Sequence, residues 1–303
     1  MNEYISIKPA LEALGCAVFA DEPMARHSSF RIGGPADLLV AVNDTEQLAG
    51  LLRFVKEGDL PMMMVGNGSN LLVSDEGIRG IVARLTGEFG AVEYLGDGLV
   101  RAGAGASLSN FCLTALEHSL TGLEFAWGIP GSVGGAAFMN AGAYGGEMKD
   151  IVTEVEYVTA DGFIDKLTCE QCDFGYRRSV FQQSDCIITA VTVKLAEGDA
   201  DRIKATMDDI LGRRKDKQPL DKPSAGSVFK RPEGYFAGGL IEQCGLKGHT
   251  IGGAQVSEKH AGFIVNIGGA TCQNVLDLIK HIQTVVKSET GVDLECEVRA
   301  IGG

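Results

Sequence analysis

Residues 127–148 read WGIPGSVGGAAFMNAGAYGGEM, with seven glycines between positions 128 and 146 among small residues and few charges. Such a run neither buries a large core of its own nor looks solvated. It suits backbone laid against a flat ligand; a tightly packed interdomain loop is the other reading. A shorter passage, VGNGSNLLVSD (65–75), sets Gly66, Asn67, Gly68, Ser69 and Asn70 between two apolar runs. Glycines there let successive backbone N–H groups face one anion such as a diphosphate, and Ser69 and Asn70 add side-chain donors. No GK[ST] follows and no GxGxxG opens a helix, so this is neither a Walker A nor a Rossmann loop. An ordinary hairpin turn built on Asn-Gly is the competing reading.

The elements around these loops follow from periodicity. Residues 7–19 read as a short helix. Residues 45–58 (TEQLAGLLRFVKEG) read as an amphipathic one, with Leu48, Leu51, Leu52 and Val55 on one stripe. PMMMV and LLVSD read as strands on either side of GNGSN, and GIRGIVARL as a third. AVEYLGDGLVRAGAG reads as a hairpin turning at Gly96–Gly98. Residues 107–120 read as a helix with Ser107 as N-cap. EVEYVTA and FIDKLT form a hairpin across Asp161–Gly162, and CIITAVTVKLAEG is a further strand. From residue 201 a long helix (DRIKATMDDILGRRKDK) precedes Pro219. Loops around 223–239, a helix at 273–290 and a closing strand, LECEVRAIG, complete the chain. Strands and helices do not alternate in strict βαβ order, so the fold class is α+β, with a boundary near residue 200.

The 303 residues, 45% hydrophobic, support two or three compact units. A formal net charge of −13 disfavours nucleic acid and anionic membranes as partners, and any anionic ligand must be captured by local basic groups. No apolar segment reaches the roughly 20 residues of a bilayer span, and the N-terminus lacks a signal-peptide pattern. A cytosolic protein without membrane insertion is expected. The eight cysteines are dispersed, as suits reduced thiols; Cys169 and Cys172 form a single CxxC without a second pair. The five histidines show no metal spacing, so no metal is expected.

Seven long motifs carry a resemblance: RHSSFRIGGPAD (26–37), VGNGSNLLVSD, GIPGSVGGAAFMNAGAYGGE, GYRRSVF (175–181), KPSAGSVFKRP (222–232), HAGFIVN (260–266) and CEVRAIG (296–302). The two glycine loops resemble the FAD-binding domain of vanillyl-alcohol oxidase-type flavoproteins. In this order the motifs resemble the UDP-N-acetylenolpyruvoylglucosamine reductase family over nearly the whole chain, from about residue 26 onward. No extra loop with a substrate-capping tyrosine follows Arg177, which resembles the shorter type of the family.

The resemblance implies a PCMH-type FAD-binding domain over 29–197, with subdomains of about 1–85 and 86–200. It also implies a C-terminal substrate-binding domain over 201–303, whose last strand returns to the flavin site. It implies non-covalent FAD, NADPH as co-substrate and a UDP-sugar substrate whose enolpyruvyl ether is reduced, in peptidoglycan synthesis. A monomer is expected, without a signal that decides it. FAD contacts are expected from Gly66, Asn67, Gly68, Ser69, Asn70, Ile129, Pro130, Gly131, Ser132, Gly134, Gly135 and Arg214.

Hydride delivery to the vinyl group leaves negative charge on the next carbon, spread into the carboxylate. That needs a cation, a second stabilising group and a proton donor. By resemblance Arg177 forks the carboxylate, Glu297 hydrogen-bonds or positions it, and Ser227 supplies the proton. Alone, Arg177 reads as a salt-bridge arginine, Ser227 as a turn serine and Glu297 as a strand-edge charge; only the joint match lifts them. RRKDKQPLDKP concentrates basic residues in an acidic chain. Lys217, Lys230 and Arg231 are candidates for the substrate, and Lys215 reads as a helix C-terminal charge favoured by the macrodipole. His249 and His260 read as structural. A sugar or alcohol oxidase on the same fold is the competing enzyme and would want a His or Tyr base. A non-catalytic flavin binder is a third reading.

Overall fold

A computed structural model describes residues 2–303. By compactness the chain falls into two units, each built from three segments. The first takes the residues up to Ala20, Leu38–Asn67 and Gly80–Arg213; the second takes Asp21–Asp37, Gly68–Arg79 and Arg214–Gly303. This partition by packing interleaves in sequence, whereas the functional domains expected above are contiguous.

The first unit holds two cores. One forms on a four-stranded sheet with spatial order Ala17–Pro23, Pro35–Val42, Ile78–Leu85, Met62–Met64. Helices α1 (Lys8–Ala13) and α2 (Thr45–Glu57) contribute Leu11, Leu48, Leu51 and Leu52 to bury Leu38, Val40, Val42 and Ile81. Asp44 caps α2 by accepting the Gln47 N–H at 2.8 Å, and Gln47 returns a bond to Asn43 N–H, also 2.8 Å. The expected helix over 7–19 is a correction: α1 ends at Ala13, and Ala17–Phe19 belong to a strand. Gly15, at φ +83°, takes the left-handed conformation that stops a helix. Beyond it the burial alternates along the strand, with Val18 inward between exposed Ala17 and Phe19.

The other core lies against a five-stranded antiparallel sheet, ordered Ile164–Thr168, Val152–Val158, Ile187–Lys194, Leu99–Gly103, Val92–Gly96. Helices α3 (Leu108–Glu117) and α4 (Val133–Phe138) cover it with Leu108, Phe111, Val133 and Ala137. Its middle strand is buried at every position from Ile187 to Val193 because both faces are covered. Both expected hairpins form, and Ser107 caps α3 through the Asn110 N–H at 3.1 Å. The division between the units falls within helix α5 (Ala200–Lys217), after Arg213.

In the second unit, α6 (Ala237–Gln243) and α7 (Cys272–Thr290) pack with a three-stranded antiparallel sheet, Thr250–Ile251, Ala254–Val256 and Ile264–Asn266. Phe30, Leu72, Val228, Ile241, Val275, Leu278 and Ile282 fill its core. Strand Arg299–Ile301 pairs in parallel with Leu71–Val73. The expected closing strand was longer; residues 294–298 instead touch the 227–230 segment through the Phe229–Cys296 bridge. Helix α6 was not expected, because two glycines inside seven residues hide the pattern.

Every orphan donor in the first turn of α7 is satisfied. Thr271 Oγ1 accepts the Asn274 N–H at 3.1 Å, and the two carboxylate oxygens of Asp75 accept the N–H groups of Cys272 (2.8 Å) and Gln273 (3.1 Å). Asp75 belongs to the LLVSD run, so a distant loop starts this helix. Among the described residues no helix is long and apolar enough to cross a membrane. Asp75→Ala should lower unfolding stability by about 1–2 kcal/mol, the range for a lost helix cap. Urea denaturation measures it; an unchanged midpoint would show that Thr271 alone suffices.

Candidate active site

The two glycine loops contribute differently. In the first unit, Val65 N–H binds the Ala83 carbonyl at 2.9 Å and delivers the exposed Gly66 to the edge of the sheet. A Cβ on Gly66 would stand 2.5 Å from Ser132 Oγ. Ser132 is buried and caps α4 by accepting the Gly135 N–H at 3.3 Å. Leu108 N–H binds Gly131 O (3.1 Å), Val133 N–H binds Ala106 O (2.8 Å) and Gly134 N–H binds Ala104 O (2.9 Å). A Cβ on Gly134 would lie 2.7 Å from that of Ala104. The result is backbone packed on backbone, with Gly66, Pro130 and Gly135 exposed and Ile129 and Gly131 half-buried. Bare main chain of this kind is what a flat dinucleotide needs for close approach. The indole N–H of Trp127, the first residue of this run, is buried without a hydrogen-bond partner among the described residues.

Gly68 belongs to the second unit and is buried. Its φ is +62°, and a Cβ would run into the His27 carbonyl. Internal packing therefore already demands glycine there, a reason the sequence pattern did not expose. Asn70 holds the C-terminal segment: its Nδ2 donates to the Glu297 carbonyl at 3.1 Å, and its own carbonyl accepts the Arg299 N–H at 3.0 Å. Ser69 is half-buried between them.

The second unit brings Ser227 and Glu297 together. Glu297 N–H binds Val228 O at 2.7 Å, Lys230 N–H binds Glu295 O at 2.8 Å, and Ser227 bridges to Phe263 on its other side. Both Ser227 and Glu297 are half-buried. The Lys230 ammonium is paired with Glu295. Arg231 lays its guanidinium 4.0 Å over the Phe236 ring. Lys217 is exposed at the end of α5, and Arg214, one turn earlier, is only 6% exposed. Lys215 gives its carbonyl to the Lys259 ammonium, a helix C-terminus meeting positive charge.

Arg177 lies in the first unit, on the tight turn closed by reciprocal Gly175–Arg178 backbone bonds of 3.0 and 3.1 Å. Its φ of +55° is strained for a residue with a side chain, so the surroundings must hold it. Fully buried Asn140 does so, donating to Gly175 O at 2.9 Å and Glu147 Oε2 at 2.8 Å while accepting the Lys149 N–H at 2.9 Å. Gln182 adds a bond to the Arg177 carbonyl at 3.0 Å. Arg178 is exposed and paired with Asp173, while Arg177 is half-buried with Nη2 3.4 Å from Gly142 O. Asn140 and Gln182 escaped the sequence reading, because nothing local marks a polar residue as a buried pin.

Among the described residues no group of three or more His, Cys, Asp or Glu side chains is placed to hold a metal. Burial pushes the Cys172 thiol up to about 12 and also raises that of Cys169, so both CxxC thiols are protonated and poor nucleophiles at neutral pH.

Residues 36–168 match the FAD binding domain family, and residues 218–301 match the UDP-N-acetylenolpyruvoylglucosamine reductase C-terminal domain. The UDP-N-acetylenolpyruvoylglucosamine reductase of Caldanaerobacter subterraneus subsp. tengcongensis is 50% identical over 285 residues, 94% of each chain. That of Clostridioides difficile is 51% identical over 282 residues, 93% of this chain and 92% of the relative. The crystal structure of the reductase from Thermus caldophilus superposes with a TM-score of 0.81 at 37% identity, covering 94% of this chain and 98% of the other. With half its residues identical to these enzymes along nearly its whole length, the chain belongs to the UDP-N-acetylenolpyruvoylglucosamine reductase family.

Proposed function

We propose that this chain uses FAD and NADPH to reduce the enolpyruvyl ether of UDP-N-acetyl-3-O-(1-carboxyvinyl)-glucosamine to UDP-N-acetylmuramate, a step of peptidoglycan synthesis. The observation that carries the reading is the backbone bond of Glu297 to Val228, the neighbour of Ser227, with Glu297 also tied to Asn70, in a chain of this family. The chemistry that FAD would supply here, with NADPH as its reductant, is hydride donation to the terminal vinyl carbon.

The protein's own groups handle charge and protons. The planar guanidinium fork of Arg177 matches the substrate carboxylate, where negative charge accumulates. Glu297 sits on the carboxylate as a hydrogen-bonding or orienting partner. Ser227 Oγ delivers its proton to the carbanion carbon. A hydroxyl is a weak acid, but a carbon-centred anion is a strong enough base to take its proton when the two are held in register.

FAD would be held, without a covalent bond, by Gly66, Asn67, Gly68, Ser69, Asn70, Ile129–Ser132, Gly134, Gly135 and Arg214. The bare backbone of the first unit fits this role, and buried Arg214 suits a phosphate. Lys217, Lys230 and Arg231 would take the substrate diphosphate, Lys230 exchanging its Glu295 partner for phosphate oxygens. In functional terms the FAD-binding domain spans 29–197 and the substrate-binding domain 201–303. The enzyme works as a monomer in the cytosol on this reading.

Gly66→Val should raise the dissociation constant for FAD at least about tenfold, equivalent to about 1.4 kcal/mol. Flavin fluorescence titration of the stripped protein tests it, and an unchanged constant would remove Gly66 from the cofactor site. Lys217→Ala should raise KM for the sugar nucleotide while leaving kcat nearly intact, because a diphosphate contact exists in both ground and transition states. A fall in kcat at constant KM would place Lys217 in the chemistry instead. Ser227→Ala should retain FAD and its reduction by NADPH, yet slow reoxidation by the enolpyruvyl sugar about 10²–10⁴-fold, the usual worth of a positioned acid. Anaerobic stopped-flow separates the two half-reactions; reoxidation at the wild-type rate would mean that the proton comes from elsewhere.

A further inference from the structure

Ser227 stands against Gly262. Val228 N–H donates to the Gly262 carbonyl at 2.9 Å, and a Cβ on Gly262 would lie 3.2 Å from Ser227 Oγ. The other side of Gly262 is held by His260, whose Nδ1 accepts the Gly262 N–H at 3.1 Å. The same Cβ would lie 3.0 Å from His260 Cε1, so any side chain between the imidazole and the serine would crowd both.

The Phe263 ring meets the imidazole edge-on with centroids 5.0 Å apart, and the main chain of Gly238 in α6 lies beside Cε1. Buried Ser257 accepts the N–H groups of Lys259 and His260 at 3.2 and 3.3 Å, and Phe263 N–H closes the turn on the His260 carbonyl at 2.9 Å.

An imidazole nitrogen that accepts an amide N–H carries no proton, so His260 is the neutral tautomer protonated on Nε2. Burial is the main influence and lowers its pKa from the ordinary 6.5, against a backbone hydrogen bond at its own residue that raises it in part. Lys247 lowers it further and Glu242 raises it; these two form an ion pair of 2.6 Å and offset each other. Glu258 and Lys259 are the charges on its own turn.

We propose that His260 is a positioning residue for the Ser227 hydroxyl: neutral Nδ1 anchors Gly262, and Gly262 fixes Ser227–Val228 at the distance the proton transfer needs. The inference rests on the assignment of Ser227 as proton donor. Protonation of His260 places an N–H where the acceptor was, facing the Gly262 N–H, and the turn beside Ser227 must open. The sign follows from the lowered pKa. The anchor is intact above the ordinary histidine pKa and is lost as pH falls through the lowered one, and the matching share of folding stability is lost in the same direction.

The test is anaerobic stopped-flow on the FAD-loaded enzyme across the acid-to-neutral range, with each half-reaction followed separately. His260→Leu removes the acceptor and should slow reoxidation by the enolpyruvyl sugar about 10–100-fold, the scale of a small misplacement of reacting groups. It should leave flavin reduction by NADPH close to wild type. In His260→Asn the Oδ1 reaches the place of Nδ1 and accepts at any pH, so reoxidation should recover and lose the acid-side fall seen in the wild type. Wild-type reoxidation in His260→Leu, or an undiminished acid-side fall in His260→Asn, overturns the proposal. Should His260→Leu fail to hold FAD, the pH profile of His260→Asn decides alone. Ser227→Ala run in parallel separates the two readings. If it reoxidises normally, the donor assignment has failed and the His260 inference falls with it. If it is slow while His260→Leu is not, only the inference fails.

Discussion

The site of the second unit depends on one long-range pairing, the parallel contact of Arg299–Ile301 with Leu71–Val73. Asn70 extends it by one side-chain and one main-chain bond, reaching Glu297 across 227 positions of sequence. Closing a loop of that length costs little more entropy than closing one half as long, because the cost grows only with the logarithm of length. Once it is closed, Glu297 takes its place by ladder geometry. Its N–H binds Val228, and Ser227 falls beside it without any contact of its own to the C-terminal segment needing to be strong.

Charge is handled locally in a protein whose overall field repels its ligands. Two of the three basic groups proposed for the diphosphate are kept occupied until needed, Lys230 by Glu295 and Arg231 by the face of Phe236. Both Lys230 and Glu295 reach solvent, so their ion pair stabilises the fold little, and exchanging a carboxylate for a phosphate is correspondingly cheap. Arg177 is treated differently. Its main chain is strained, and the strain is held by Asn140, a buried amide with every polar atom matched.

Much of this was legible in the sequence where the physics is local. Ser107 announces its helix, Asp161–Gly162 lies in the turn it suggests, and the CIITAVTVK run forms the strand it suggests. The glycine loops pointed to a ligand resting on backbone; at Gly66 and Gly134 the protein's own Ser132 and Ala104 already leave no room for a side chain. What stayed hidden is non-local. Gly68 is a glycine because the His27 carbonyl is beside it, and Asp75 is an N-terminal cap for a helix that begins nearly two hundred residues later. The first helix was read too long because Leu11, Leu14 and Val18 continue a helical spacing through Gly15, where the backbone actually turns into a strand. Only the motif order, not composition, drew Arg177, Ser227 and Glu297 out of the background.

The three-segment construction of the second unit also sets a timetable for synthesis. Phe30, Ile32 and Leu72 leave the ribosome early, but the residues that bury them, from Val228 to Val298, are among the last made. At ~5–20 residues per second the wait across the 227 positions from Asn70 to Glu297 is roughly 10–45 s. During that interval an apolar stretch and an unpaired strand must be shielded. Nascent-chain shielding is thus a requirement of this architecture, and a chain truncated before residue 299 lacks the strand that closes it.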